Sequence, residues 1–163
     1  MSTAKPPAFI FDVDGTLCDV RGVRHYLLDD PRRKDFEHFH AGAALCPPHH
    51  SVVTLAHAMV AIGVTPLVVT ARKEKWRYLT STWLQKWNVP HEHLMMRPNA
   101  DARRDYLVKK VILARIRTRY EVLGAVDDNP AVIALWEEEQ LPLVVTVPGW
   151  VEERPAAAAR PAT

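Results

Sequence analysis

The chain contains little cysteine, little net charge and no long apolar run, and each shortage excludes a class of protein. Its two cysteines, Cys18 and Cys46, are too few for a disulfide scaffold and lack the spacing of a zinc site. We predict both to be reduced and structural. No apolar run approaches the roughly 18 residues of a membrane-spanning helix. The first ten residues lack the apolar stretch of a signal peptide, so we expect a cytoplasmic protein with no membrane partner.

The composition is that of one globular domain. Of the 163 residues, 48% are hydrophobic and 25% are charged, which is an ordinary globular balance. We expect the domain to span residues 1–150 and the Ala-, Pro- and Arg-rich tail, residues 151–163, to be disordered. The net charge of +2 does not require a nucleic-acid partner, but the excess of Lys and Arg in residues 97–119 could attract an anionic substrate.

Short apolar runs alternate with helical patterns along the chain. The runs contain few polar residues, as expected for strands buried on both faces of a parallel sheet. They cover residues 8–13, 64–70, 94–96, 122–126 and 143–147. Helical spacing is found in residues 52–60, 76–87, 106–116 and from Pro130 onward. The alternation predicts an α/β fold with a doubly wound parallel sheet. We assign Trp76, Trp83 and Trp87, which share one helical face, to the core rather than to base stacking.

One long segment after the first run, about residues 17–48, interrupts this alternation. It is rich in arginine and histidine and has little apolar periodicity. A polar insertion at the carboxyl end of a strand is a frequent place for an active-site lid, so we predict a small cap. Its basic residues that could face a site are Arg24, Arg32, Arg33 and Lys34. The paired histidines here and elsewhere do not provide the three or four convergent ligands of a typical zinc site.

Polar residues directly follow three of the apolar runs. They are Asp12 and Asp14 after the first run, Thr70 and Arg72 after the second, and Asp127 and Asp128 after the fourth. Ligands of open α/β sheets bind beyond the carboxyl ends of the strands, so we expect these side chains to converge, with Lys109 or Lys110 from a neighbouring helix. Four carboxylates at one point repel one another unless a cation lies between them, and all-oxygen ligands suit Mg²⁺.

In this order, these elements resemble the motifs of the haloacid dehalogenase-like phosphohydrolase superfamily. Residues 12–16, Asp-Val-Asp-Gly-Thr, match its first motif. Thr70 matches the second motif, a lysine near position 109 the third, and Asp127 with Asp128 the fourth. An aspartate at the position of Asp14 is typical of the superfamily's phosphatases rather than its dehalogenases. Residues 97–109 also resemble the R-x-x-x-D-x-R-[RK]-D-x-x-[VI]-K pattern of the 3′-phosphatase domain of phage polynucleotide kinase/phosphatase, which assigns the third motif to Lys109. There is no G-x-x-x-x-G-K-[ST] phosphate loop, so a kinase would be a separate partner.

The resemblance implies a Mg²⁺-dependent phosphomonoesterase that works through an aspartyl-phosphate. Asp12 would be the nucleophile, and Asp14 the general acid and base. Thr70 and Lys109 would stabilise the charge of the phosphate. The implied magnesium ligands are Asp12, the backbone carbonyl of Asp14, Asp127, and Asp128 in or near the coordination shell.

Four arginines are candidates for substrate binding. They are Arg72, Arg97, Arg103 and Arg104. Arg72 would hold the phosphate or the sugar of the leaving group. The alternative interpretation is that Arg72 is a surface charge at the start of a helix. The resemblance to the 3′-phosphatase pattern implies that the other three flank the opening of the active site. There they could hold a second phosphate or a nucleic-acid backbone. Their alternative is a network of ion pairs with Asp101 and Asp105.

The resemblance favours a 3′-phosphate on a nucleic-acid end as the substrate. A cap of about 30 residues leaves the site open, which suits a polymer end, whereas the lack of a kinase domain favours free nucleoside monophosphates. A nucleotidase is therefore the alternative function. A phosphotransferase and a non-catalytic nucleic-acid-binding module are the remaining alternatives.

Overall fold

The computed structural model describes residues 4–28 and 34–148, which contain one five-stranded parallel sheet. The strands are β1 (Pro7–Phe11), β2 (Thr65–Lys73), β3 (His93–Arg97), β4 (Glu121–Asp127) and β5 (Leu143–Thr146). Their order across the sheet is β3-β2-β1-β4-β5, and every neighbouring pair is parallel. Each of the five apolar runs therefore forms a strand, as predicted.

Helices separate the strands along the chain. In the described residues they are α1 (His25–Leu28), α2 (Phe36–Ala43), α3 (His50–Ala61), α4 (Arg77–Lys86), α5 (Asp105–Ile116) and α6 (Pro130–Glu138). Two 3₁₀ turns, Val20–Val23 and Glu74–Trp76, lie before α1 and α4. The four predicted helical segments correspond to α3, α4, α5 and α6. Asn129 caps α6 by accepting a hydrogen bond from the backbone of Ala131, with Pro130 in the first turn.

The sheet is covered on both faces. Successive side chains of a strand point to opposite faces, so Phe9 and Phe11 pack on one side and Ala8 and Ile10 on the other. The first side is covered by α3, α4 and the insertion, and the second by α5 and α6. The prediction of a doubly wound α/β fold is confirmed.

The insertion contributes to the core more than its sequence suggested. Val20, Val23, Leu27 and Phe39 are buried in the same cluster as the first face of the sheet. They come from a 3₁₀ turn, the single turn of α1 and the short α2. Their positions in the sequence therefore follow neither a helical nor a strand periodicity. Cys18 and Cys46 are also buried there and form no disulfide, as predicted.

Some predictions concern residues outside the described part of the chain. Arg32, Arg33 and the tail 151–163 lie there, and the domain limits of 1–150 stay a prediction. No helix of the described residues has the length and apolar character needed to cross a membrane.

Candidate active site

The predicted polar residues converge beyond the carboxyl ends of three adjacent strands. They line one cavity of about 920 Å³. Those that line it are Asp12, Asp14, Thr70, Arg72, Lys109, Asp127 and Asp128. The strands β2, β1 and β4 are parallel neighbours, so their carboxyl ends lie at one edge of the sheet. The expected convergence is observed, while the chemical roles of these residues stay predictions.

Lys109 connects the carboxylates that follow β1 and β4. Its Nζ donates to Asp12 Oδ1 at 2.6 Å and to Asp127 Oδ2 at 2.7 Å, and all three side chains are buried. Burial would lower the pKa of Lys109, but the two carboxylates raise it above its ordinary value. Lys110 is exposed and pairs with Glu139 at 3.2 Å. Of the two candidate lysines, Lys109 is therefore the one in the site.

Asp127 and Asp128 are held in place by backbone amides just before α6, by Trp136 of α6 and by Thr16 of the loop after β1. Asp127 Oδ1 accepts from the backbone amides of Asp128 and Asn129, each at 3.1 Å, and Trp136 donates to Oδ2 at 3.4 Å. Thr16 donates to Asp128 Oδ1 at 3.2 Å. The second oxygen of Asp128 is buried and has no hydrogen-bond partner among the described residues.

The carboxylates of Asp12, Asp127 and Asp128 form a group that fits a divalent cation. Each offers an oxygen, and these oxygens all lie within 4.8 Å of one another. Burial raises the pKa of Asp12 to about 7 despite Lys109, and burial with the two neighbouring carboxylates raises the pKa of Asp128 to about 9. One ammonium therefore does not neutralise the group. An all-oxygen set with an unpartnered oxygen on Asp128 suits Mg²⁺.

Arg72 binds Asp14 rather than lying on the surface. It is buried in β2, with Nε 2.8 Å from Asp14 Oδ2 and a terminal nitrogen 2.6 Å from Oδ1. The other terminal nitrogen donates to Thr80 at 3.1 Å. The alternative of a surface charge at a helix start is wrong, because β2 continues through Lys73. The carboxylate of Asp14 is thus occupied by Arg72, and its backbone carbonyl as a metal ligand stays a prediction.

Arg72 also sets the charge of Asp14. Burial alone would raise the pKa of this carboxyl, but the charge and hydrogen bonds of Arg72 outweigh burial and leave the pKa below its ordinary value. The Oγ1 of Thr70 accepts from the Arg72 backbone at 3.2 Å. Thr70 lines the cavity, and its donation to the phosphate stays a prediction.

The turn after β1 depends on Gly15. Its φ of 85° lies in the left-handed region that favours glycine. The turn is closed by bonds from the Gly15 amide to Cys18 at 2.9 Å and from the Leu17 amide to the Asp12 carbonyl at 3.3 Å. These bonds hold the segment that carries Asp12 and Asp14 at the carboxyl end of β1.

Two of the three arginines before α5, Arg97 and Arg103, form the predicted ion pairs with Asp105 and Asp101. Arg97 pairs with Asp105 and donates to backbone carbonyls at 2.8 and 2.5 Å. Arg103 pairs with Asp101 at 2.6 Å on the surface. Arg97 and Arg103 still line the cavity, whereas Arg104 is exposed at the N-cap of α5 and is not among the lining residues. Their binding of substrate stays a prediction.

The cap supplies lining residues that the sequence analysis did not identify. Phe36 and His40 of α2 lie in the cavity, as does the predicted Lys34, whereas Arg24 does not line it. Their i, i+4 spacing is the sequence feature that could have predicted that Phe36 and His40 lie on the same face of a helix.

One of the three tryptophans is not in the core. Trp76 lines the cavity, because it belongs to the 3₁₀ turn before α4 rather than to the helix. Its assignment to the core is therefore wrong. Trp83 is buried, and Trp87 packs against the same cluster, as predicted.

The fold and the site define a haloacid dehalogenase-like phosphatase. The model of the family described as "Polynucleotide kinase PNKP phosphatase domain" matches residues 6–149. The chain belongs to this family of phosphatase domains. This confirms the resemblance inferred from the motifs.

Known relatives are consistent with this family, and some are much longer than this chain. A protein of Autographa californica nuclear polyhedrosis virus, "Putative bifunctional polynucleotide kinase/RNA ligase", is 29% identical over 148 residues, which cover 87% of this chain and 19% of the viral protein. A chain of the Pnkp1/Rnl/Hen1 RNA repair complex is 26% identical with a TM-score of 0.72, covering 90% of this chain and 44% of that one.

A more distant structure shares the fold. The class C acid phosphatase from Bacillus anthracis with tungstate bound has a TM-score of 0.69 and 14% identity, covering 91% of this chain and 68% of that one. At this identity the likeness concerns the fold alone.

Proposed function

We propose that this chain is a Mg²⁺-dependent phosphomonoesterase that removes the 3′-phosphate from a nucleic-acid end through an aspartyl-phosphate on Asp12. The observation that carries the proposal is the buried Asp12 carboxylate, bridged by Lys109 to Asp127 in a member of a polynucleotide phosphatase family. A cytoplasmic location and a separate kinase partner stay predictions.

The first step transfers the phosphoryl group to the enzyme. A phosphomonoester brings about two negative charges, which Lys109 and the Thr70 hydroxyl would stabilise. A magnesium ion bound by Asp12, Asp127 and Asp128 would supply further positive charge. An oxygen of Asp12 forms a bond to phosphorus in line with the leaving group, the bond from phosphorus to the 3′ oxygen breaks, and that oxygen takes a proton from Asp14.

The second step returns the enzyme to its starting state. Asp14, now ionised, takes a proton from water; the water oxygen bonds to phosphorus, and the bond from phosphorus to Asp12 breaks. Arg72 favours the ionised Asp14 that this step needs. The first step needs the protonated form, which the negative charge of a neighbouring phosphate favours. The two aspartates have different cationic partners, Lys109 for Asp12 and Arg72 for Asp14.

The size of the cavity and the family support a substrate larger than a sugar phosphate. About 920 Å³ is at the upper end of typical ligand pockets. The relatives named above carry polynucleotide kinase, RNA ligase and RNA repair in their descriptions. Lys34 also lines the cavity and adds positive charge there, whereas the charges of Arg103 and Lys75 are paired with Asp101 and Glu37.

A panel of phosphate esters tests the substrate. Phosphate release is measured with 3′- and 5′-phosphorylated oligonucleotides, nucleoside 3′- and 5′-monophosphates, and sugar phosphates, in Mg²⁺ and in EDTA. We expect the 3′-phosphorylated oligonucleotide to give the highest kcat/KM, and we expect EDTA to abolish activity until Mg²⁺ is restored. Equal, low rates on every ester would contradict the assigned substrate, and faster release from free monophosphates would identify a nucleotidase.

A second experiment tests the covalent step. Asp12→Asn should abolish turnover, and a rapid acid quench with a ³²P-labelled 3′-phosphate should label the wild-type protein in a hydroxylamine-sensitive form. Asp19→Asn is the matched control, because Asp19 follows the same motif but pairs with Arg21 outside the cavity. Near-full activity of Asp12→Asn would show that Asp12 is not the nucleophile.

A further inference from the structure

Three aromatic rings form a wall on the cap side of the cavity, and we refer to Phe36, His40 and Trp76 as the aromatic wall. Phe36 and His40 are one turn apart on α2, with ring centroids 6.1 Å apart and planes inclined by 27°. His40 and Trp76 have centroids 5.6 Å apart and planes inclined by 54°. All three line the cavity that contains Asp12 and Lys109.

The aromatic wall leaves apolar surface uncovered inside a cavity that is otherwise strongly charged. The side chain of Phe36 is 51% exposed, and Trp76 is only partly buried. Lys75 lies 5.4 Å from the ring centroid of Trp76 and pairs with Glu37 of α2. This contact joins the 3₁₀ turn to the cap and holds the rings on one side of the opening.

His40 connects the aromatic wall to the catalytic residues. Its Nδ1 is buried, has no hydrogen-bond partner among the described residues, and lies 3.9 Å from Asp14 Oδ2, beyond hydrogen-bond length. A buried polar atom without a partner is costly. A substrate that extends from the phosphate site past Asp14 would meet the accessible surface of the aromatic wall, which belongs to Phe36 and Trp76.

We propose that the aromatic wall is a stacking platform for the base of the nucleotide that carries the phosphate, with Trp76 as its principal ring. This inference rests on the proposed function and adds a determinant of substrate choice. Aromatic side chains stack on any base because every base presents a π face, so the platform selects nucleotides over sugar phosphates without selecting a sequence.

The test compares two 3′-phosphorylated oligonucleotides that differ only in the terminal base. One ends in an ordinary nucleotide and the other in an abasic residue. For Trp76→Ala we expect kcat/KM on the ordinary end to fall by about 5- to 100-fold, the range that base–aromatic stacking provides. On the abasic end the variant should match the wild type, and Trp76→Phe should recover most of the activity on the ordinary end.

Tyr78→Ala is the matched control, because Tyr78 is an aromatic residue two positions away that is 79% exposed and does not line the cavity. It should behave as the wild type on both ends. An equal loss for Trp76→Ala on ordinary and abasic ends, or no loss on either, would overturn the stacking platform while leaving the phosphatase intact. If the wild type released phosphate from neither oligonucleotide, the proposed function itself would fail.

Discussion

At the scale of single residues, the site depends on which cation faces each carboxylate. Lys109 bridges Asp12 and Asp127, whereas Arg72 forms a two-bonded pair with Asp14. Burial dominates at Asp12 and raises its pKa to about 7, while Arg72 lowers the pKa of Asp14. The pKa values of two aspartates separated by one residue are thus shifted in opposite directions.

We expect Arg72→Lys to move the acidic limb of the pH profile of kcat to higher pH. Lysine cannot make the two-bonded pair with Asp14 and also reach Thr80, so the pKa of Asp14 rises toward its ordinary value or above it. When hydrolysis of the aspartyl-phosphate limits turnover, Asp14 must be ionised, and activity is then lost at a higher pH. We also expect kcat to fall by about 10²-fold, the scale of general acid–base catalysis. A pH–rate series in saturating Mg²⁺ measures both effects.

Arg21→Lys provides a control with the same chemistry. Arg21 makes an analogous two-bonded pair with Asp19, at 2.8 and 2.5 Å, but on the surface and outside the cavity. Its pH profile should coincide with that of the wild type. An acidic limb that stays in place in Arg72→Lys would show that Arg72 does not control the charge of Asp14.

At the scale of elements, Arg97 joins β3 to β2 and to the start of α5, the helix that carries Lys109. It donates to the carbonyl of Ala71 at 2.8 Å and pairs with Asp105. We expect Arg97→Lys to lower the free energy of unfolding by about 2 kcal/mol, because Arg97 is buried and the lysine cannot replace all of its hydrogen bonds. We expect kcat to fall while KM changes little, since α5 is displaced rather than the substrate contact. Urea unfolding and steady-state kinetics measure these changes.

Arg103→Lys distinguishes this structural role from a general effect of removing an arginine. Arg103 pairs with Asp101 on the surface, and exposed pairs contribute little to stability, so its unfolding free energy should stay within about 0.5 kcal/mol of the wild type. If Arg97→Lys raised KM with no loss of stability, Arg97 would be a substrate contact, as its place in the motif predicted.

The strands and the main helices could be predicted because the apolar residues of each element follow a single pattern, a continuous run in a strand and a spacing of three or four residues in a helix. Apolar runs gave the five strands, and the polar residues after them gave the site, since parallel strands deliver their carboxyl ends to one edge. The insertion could not be predicted in the same way. Its buried residues, such as Val23 and Phe39, come from separate short elements. Trp76 follows the helical period of α4 but precedes its first turn, where a 3₁₀ turn sets the direction of its side chain.

At the scale of the whole molecule, folding brings three carboxylates within 4.8 Å of one another. In the folded chain the pKa values of Asp12 and Asp128 are about 7 and 9, above the ordinary value of 3.8. At these two groups the folded state therefore binds more protons than the unfolded state from about pH 4 to about pH 9. The contribution of Asp12 and Asp128 to the stability of the metal-free protein therefore falls as pH rises through this interval.

We expect Mg²⁺ to cancel this loss, and to do so more strongly at high pH. Mg²⁺ binds the ionised carboxylates of the folded state, so its stabilisation grows as protons leave. At about a hundred times its dissociation constant, a ligand adds about 2.7 kcal/mol, or roughly 5–10 °C in Tm for a chain of this size. Thermal unfolding at pH 6 and pH 8.5, with MgCl₂ or with EDTA, measures the difference.

Asp128→Asn separates a specific cation site from a general effect of salt. Asparagine keeps an oxygen that can accept the hydrogen bond of Thr16 but removes one of the three crowded charges. Without Mg²⁺ its Tm should fall less between pH 6 and pH 8.5 than that of the wild type, and its response to Mg²⁺ should be smaller. NaCl at matched ionic strength should reproduce neither result. If NaCl stabilised the wild type as much as MgCl₂ does, the three carboxylates would be responding to screening and not holding a divalent ion.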